Sequence, residues 1–224
     1  MLPRGERIYA IGDIHGCLDK LKALHAAIRA DIKAYPVAQA VVVHLGDYID
    51  RGPDSAGVVR TLMNFELPSI FLMGNHEATA LAAMDGDGAA CTDWLYNGGD
   101  TALRSWGLDP DGPRGAWRPP AEHVAWMRGL RLSYRHGGYL FVHAGIRPGV
   151  PLEAQDSEDL IRIRRPFLDS QADHGVIVVH GHTPTRDRLP ERHSNRVNLD
   201  TGAVYGGPLT CGVFEGEKLE FLSA

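Results

Sequence analysis

An α/β domain is the fold class that the 224-residue sequence predicts, on three observations. Short apolar, β-branched runs alternate with segments of helical period over residues 7–84, and similar runs return after a Gly/Pro/Trp-rich middle. Five of those runs end in a polar signature built from Gly, Asp, Asn and His. In open α/β sheets the ligand site lies at the carboxyl ends of strands, so five such endings predict one converging site.

Taken in order, residues 7–11 (RIYAI) are short and apolar, as a buried strand requires. Over 17–35, Leu18, Leu21, His25, Ile28 and Ile32 recur at steps of three and four, which predicts a helix with one apolar face. AVVVHL (40–45) is a second buried strand, and Asp54 or Ser55 caps a helix running to 67. SIFLM (69–73) and HEATALAAM (76–84) repeat the pair, so right-handed crossovers onto a largely parallel sheet are expected. Residues 86–120 hold at most two short helices, near 93–96 and 100–106, and read as a cap-like excursion from a single domain spanning 1–224. A hairpin turning at Gly137 and Gly138 is predicted over 131–145, a helix over 157–168 and a strand over 176–181. Three late strands, near 196–200, 209–214 and 218–222, complete the chain.

Composition removes several function classes. Lys plus Arg (23) against Asp plus Glu (28) gives a formal charge of -5, so no overall basic field invites nucleic acid or an anionic membrane. The cysteines Cys17, Cys91 and Cys211 are odd in number, widely spaced and lack a Cys-x-x-Cys pair, which argues against a disulfide framework and a cysteine zinc ribbon. No signal-peptide core or membrane-length apolar window is present, so a soluble cytoplasmic protein is expected. Trp94, Trp106, Trp117 and Trp126 lack regular spacing and read as packing of the excursion on the core. Of the 11 histidines, His25, His123, His136, His174 and His193 read as solvated, and His44 as a core residue. His180 reads as a buried strand residue or a near-site one.

The five endings are Gly12-Asp13-Ile14-His15-Gly16, Gly46-Asp47-Tyr48-Ile49-Asp50-Arg51-Gly52, Gly74-Asn75-His76-Glu77, His143-Ala144-Gly145 and His180-Gly181-His182-Thr183. Aspartates, an amide oxygen and histidines make a mixed O/N ligand set, suited to Mn²⁺, Fe or Zn²⁺ more than to Ca²⁺ or a thiolate-bound metal. A shared carboxylate can bridge two cations about 3.5–4 Å apart, and Asp47, between the first and third signatures, is the natural bridge.

GDIHG, GDYIDRG and GNHE, followed by the histidines of HAG and GHT, resemble the calcineurin-like metallophosphoesterases. Within them the match is to the phosphoprotein phosphatase branch that includes the bacteriophage lambda phosphatase and many bacterial relatives. The resemblance runs from about residue 7 to the end, leaving out the Gly/Pro/Trp-rich middle. It implies two mixed β-sheets packed as a sandwich flanked by helices, an α/β architecture that some schemes class as α+β. It further implies two divalent cations, one on Asp13, His15 and Asp47, the other on Asp47, Asn75, His143 and His182. Arg51 matches a phosphate-holding arginine, whose planar fork suits phosphate oxygens, and His76 a catalytic histidine oriented by Asp50. A looser likeness in LIRIRRPFL suggests Arg164 as a second clamp, with Arg162 the alternative. Many nucleases of the superfamily carry Gly-His-x-His, whereas Pro184 stands here at the place of the second histidine.

The expected activity is in-line hydrolysis of a phosphate monoester by a water or hydroxide held between two cations, with His76 protonating the leaving oxygen. Asn75 would orient substrate as well as ligate. The expected substrate is a phosphorylated protein, through serine/threonine phosphatase activity, or a small phosphoester. A dinucleoside polyphosphate hydrolase cleaving diadenosine tetraphosphate is the alternative, and a catalytically silent metal-binding module a third. Asp200 and Tyr205, in NLDTGAVYGG, are read as β-turn residues, or as contacts behind the ligands or at the rim of the site.

Overall fold

The computed structural model describes residues 1–224. Strands β1 (Glu6–Ile11), β2 (Gln39–His44) and β3 (Ser69–Phe71) lie parallel and are linked by helices α1 (Leu18–Ala34) and α2 (Ser55–Met63). Asp54 caps α2 by accepting from the Gly57 amide at 2.7 Å, an interaction worth about 1 kcal/mol. After β3 come α3 (Asn75–Met84), α4 (Gly88–Trp94), a π-helical turn at Leu95–Gly99, α5 (Asp100–Ser105) and α6 (Ala121–Arg128).

A second sheet is built from β4 (Ser133–His136), β5 (Tyr139–Val142), β6 (Ile177–His180), β7 (Glu191–Arg192) and β8 (Arg196–Asn198), in the order β4-β5-β6-β8-β7. Helix α7 (Ser157–Arg162) crosses between β5 and β6. The last strands, β9 (Thr210–Glu215) and β10 (Lys218–Ser223), return to the first sheet, whose order is β10-β9-β1-β2-β3. The architecture is therefore two mixed sheets flanked by helices. This is the pair of mixed sheets that the resemblance implied; the parallel pairing expected from the β/α alternation holds in β1-β2-β3, a second parallel trio is β5-β6-β8, and β9 joins β1 antiparallel.

Alternation along β1 shows how the layers form. Ile8 and Ala10, with Phe214 of the neighbouring β9, face Phe141, Val179 and Val197 of the second sheet, while Tyr9 and Ile11 face the helices with Leu21, Leu24, Val58 and Leu62. Each such side chain, once fully buried, contributes about 1.5–3 kcal/mol. A third cluster, around Val142, Ile163, Phe167 and Val178, covers the outer face of the second sheet. The tryptophan reading holds in this packing: Trp94 and Trp117 are buried in the helix-side core, and Trp106 and Trp126 pack against it.

Several sequence-based expectations shift. The first helix of the middle segment runs over 88–94, earlier than expected, and α6 has no counterpart in the sequence reading. The helix expected over 157–168 stops at Arg162, because Pro166 disfavours helical backbone just before it. His25 and His123 are buried, not solvated. His25 lies on the same α1 face as Leu21, Leu24 and Ile28. The ring of His123 accepts a hydrogen bond from Trp106 at 3.0 Å. His180 resolves as a buried strand histidine packed edge-on to Phe167.

Candidate metal centre

The strand ends do converge. Ile14 and His15, after β1, donate their amides to the Asp47 carbonyl after β2, at 3.1 and 2.8 Å. The Gly181 amide, after β6, donates to the His143 carbonyl after β5 at 2.8 Å, and the His182 amide reaches the Asp13 carboxylate at 3.0 Å. A Cβ on Gly74 would stand 2.2 Å from Asp47 Oδ1, and one on Gly181 2.0 Å from Asp13 Oδ1, so only glycine lets these carboxylates approach the backbone. Five of the six non-glycine residues with left-handed backbone are predicted site residues: His15, Asp47, Asp50, Arg51 and His182. Such backbone costs of order 1–3 kcal/mol per residue and persists only where its surroundings enforce it. At Asp47 the surroundings include Glu77, fully buried, whose carboxylate accepts from the amides of Asp47, Tyr48, Ile49 and Gly74 at 2.7–3.2 Å.

Asp47 sits at the middle. Its Oδ1 lies 3.3 Å from His143 Nε2, and its Oδ2 lies 3.5 Å from His15 Nε2 and 3.9 Å from His76 Nε2. Two clusters result, His15–Asp47–His76 and Asp47–His143–His182, each with its donor atoms within 4.8 Å of one another. They share the Asp47 carboxylate and form a dinuclear divalent-metal site whose oxygen and imidazole donors suit Mn, Fe or Zn. The tautomers fit this use. A carbonyl only accepts, so His15 Nδ1 donates to Ile49 O (2.9 Å), His143 Nδ1 to Leu45 O (2.9 Å) and His182 Nε2 to Arg162 O (3.2 Å). The other nitrogen of each ring is left to face the site, the arrangement that orients metal-binding histidines.

Electrostatics separate the histidines by their neighbours. Burial pushes His15 and His182 down to about 3, so both rings are neutral, the form a cation requires. Burial also disfavours charge on His143, but Asp47, Asp13 and Glu77 outweigh it and raise the ring to about 9. Asp47 is the counterpart: burial pushes its carboxyl up, and His143, His76 and His15 overcome that and hold it well below the usual range. His76 is raised in the same way, burial being outweighed by Asp47 and Asp50.

The other predicted residues fall around this centre. His76 Nδ1 lies 2.7 Å from Asp50 Oδ2, so its Nε2 is the nitrogen turned toward Asp47. Asn75 Oδ1 lies 3.1 Å from His143 Nε2, and Arg51 Nη1 lies 2.7 Å from His15 Nε2. Arg162 is tied to Glu158 at 3.0 Å and to Thr79 at 2.8 Å, whereas Arg164 is exposed and its charge acts on His182. Two further neighbours, Trp94 and Glu77, carry no site role in the sequence analysis, and Asp200 is there a turn residue or a contact near the site. Trp94 Nε1 donates to Asp50 Oδ1 at 2.9 Å, Glu77 clamps the loop, and Asp200 is buried beside Asp13, with burial raising it to about 6. Glu77 was visible as the last letter of GNHE. Trp94 had no local signal, because its partner lies 44 positions away.

Residues 6–210 match the family model described as calcineurin-like phosphoesterase, and the chain belongs to that family. It is 33% identical over 211 residues to serine/threonine-protein phosphatase 1 of Salmonella typhimurium, covering 91% of this chain and 89% of that one. It is 26% identical to an asymmetrical bis(5'-nucleosyl)-tetraphosphatase of Anoxybacillus flavithermus, covering 89% of this chain and 87% of the other. Symmetrical bis(5'-nucleosyl)-tetraphosphatases also match, and the chain spans 44–65% of their length. Among solved structures, that of a provisionally assigned diadenosine tetraphosphatase superposes with a TM-score of 0.72, covering 100% of this chain and 96% of that one. At 23% identity this likeness shows the fold. With the dinuclear site, family membership makes the protein a metal-dependent phosphoesterase. No helix is long and apolar enough to cross a membrane.

Proposed function

We propose that this calcineurin-like phosphoesterase hydrolyses dinucleoside tetraphosphates. The observation that carries the reading is the dinuclear site shared through Asp47, in a chain whose relatives include tetraphosphatases of both cleavage types. When bound, the cations supply Lewis acidity at the phosphoryl oxygens and lower the pKa of a water. Asp13, His15 and Asp47 would hold one cation, and Asp47, Asn75, His143 and His182 the other. Arg51, next to His15, holds phosphate oxygens through its guanidinium fork, joined by Arg164 from the segment just beyond α7. His76 carries its proton on Nδ1 toward Asp50 and, in its charged form, presents a second proton on Nε2 to the leaving oxygen. The segment 86–120 acts as a cap that fixes Asp50 through Trp94 and the Arg51 backbone through the Gly98 carbonyl, which accepts at 3.1 Å.

A second reading, serine/threonine protein phosphatase, is favoured by the Salmonella relative, which this chain matches over nearly the full length of both proteins. Parallel assays of the manganese-loaded protein on diadenosine tetraphosphate and on a phosphoserine peptide separate the two. The first reading expects nucleotide products with a kcat/KM at least tenfold above that for the peptide. The reverse ratio replaces it with the second. Product analysis then tells two diphosphates from a triphosphate and a monophosphate.

A further inference from the structure

Tyr205 is half exposed, at 51%, although it stands at the metal centre. Its ring lies under the Arg51 guanidinium, 5.7 Å from ring centroid to Cζ, and that guanidinium in turn touches His15. Arg51 is thus held between the Gly98 carbonyl on its backbone and the Tyr205 ring on its side chain. A fluctuating loop tip could not place a ring so, and this one is braced. The turn Ala203–Tyr205 is entered at Gly202 and left at Gly206, both with left-handed backbone. A Cβ on Gly207 would meet the Thr201 carbonyl at 1.9 Å. From the first turn of α1, Lys20 Nζ donates to the carbonyls of Ala203 and Gly207 at 2.8 and 2.5 Å, on either side of Tyr205.

The fold therefore uses a lysine, three glycines and a tight turn to hold a large aromatic ring partly in water. An exposed ring fixed beside a phosphate-holding arginine is a stacking platform. Base–aromatic stacking is worth about 1–3 kcal/mol per base, and it leaves the phosphate to the neighbouring charged groups. We propose that Tyr205 is a specificity-determining residue that stacks on an aromatic group of the substrate, a nucleobase joined through its ribose to the phosphate chain in the tetraphosphate reading on which this inference rests. Arg51 and Tyr205 then read different parts of one substrate, a phosphate by charge and the base by its face.

The test is the ratio of kcat/KM for aromatic and non-aromatic substrates of the metal-loaded enzyme: diadenosine tetraphosphate and p-nitrophenyl phosphate against β-glycerophosphate. Tyr205→Leu keeps bulk and removes the π face, and should lower that ratio at least about fivefold, the low end of the stacking range. Tyr205→Phe should restore it. Lys20→Met, which frees the turn, should lower it in the same direction but less. Any loss transmitted through Arg51 falls on all three substrates and cancels in the ratio. An unchanged ratio in Tyr205→Leu, or a failure of phenylalanine to restore it, overturns the stacking role. Absence of any hydrolysis of diadenosine tetraphosphate by the parent enzyme overturns the tetraphosphate reading alone, and the ratio between the two monoesters still decides the stacking.

Discussion

His44, the last residue of β2, and Asp47, three positions on, open two differently built regions. Behind the strand end, His44 lies fully buried with His25, their Nε2 atoms 3.1 Å apart, between the rings of Phe65 and Phe71. Beyond it, His15, His76 and His143 are as deeply buried but gather round a carboxylate. In the first region burial acts nearly alone: it pushes His25 down to about 4, and His44 well below the ordinary range. In the second, the carboxylates outweigh burial at His143 and His76 and reverse the sign of the shift. Burial does not mark a functional histidine. A buried carboxylate within reach of several histidines, on backbone that only a fixed loop tolerates, does.

The largest effect expected from breaking this contrast is at Asp47. Asp47→Asn removes the charge shared by both clusters while nearly preserving shape. Hydrolysis of p-nitrophenyl phosphate should fall to the background rate, and elemental analysis should find fewer than two bound cations per chain. Retained turnover with full metal content would show that the clusters do not act through their common carboxylate.

Next comes His76. His76→Gln should lower kcat by about 10²–10⁴-fold, the usual range for a general acid, with metal content unchanged. A loss of metal in this variant would instead make His76 a ligand of the His15–Asp47–His76 cluster. Asp50→Asn should follow in the same direction, because it removes the carboxylate that fixes the Nδ1 proton. A smaller effect is expected one step further out: Trp94→Phe keeps the packing and removes the N–H donated to Asp50. A hydrogen bond to a charged group contributes about 1.5–3 kcal/mol, of which part should appear as a roughly tenfold fall in kcat. The limb of the pH–rate profile assigned to His76 should move in this variant, and an unmoved limb would reduce Trp94 to a packing residue.

Much of the site was readable because its residues are local to strand ends. GDIHG, GDYIDRG and GNHE carry their glycines and left-handed positions within a few residues, so the backbone requirement and the chemistry share one motif. The signals that failed are the non-local ones. Trp94 reaches Asp50 from the excursion, and Asp200 reaches Asp13 from beyond β8, with no sequence periodicity linking either pair. Helix α6 was missed because eight residues after two prolines give too short a window for helical period to stand out. The parallel trio β1-β2-β3 followed from β/α alternation, but the return of β9 to β1 pairs residues about 200 positions apart, and only the tertiary core decides that edge. His25 is the instructive error. Its helical spacing places it on the apolar face, and that spacing outweighs the general tendency of histidine toward solvent.

The smallest expected effect probes the region behind the strand and leaves activity untouched. His25 and His44 share one proton between facing Nε2 atoms, so one donates and the other accepts; a second proton would leave two donors opposed. The folded-state value for His25 is about 4, against 6.5 for the free group. The unfolded chain therefore binds the extra proton first. Stability is complete above pH 6.5 and falls as the pH drops toward 4, by about 1.4 kcal/mol per pH unit for each such group. Site histidines held low, such as His15, add a slope of the same sign, so the parent protein alone does not isolate the pair. His25→Gln does: the amide can still meet His44, and it does not titrate. At pH 7 the variant should pay a fixed penalty in urea unfolding. Between pH 6.5 and 4 that penalty should shrink by the same 1.4 kcal/mol per unit, because only the parent loses stability through residue 25. Parallel curves for parent and variant across that window would mean that His25 is protonated as easily folded as unfolded, and the contrast between the two histidine groups would have to rest on geometry alone.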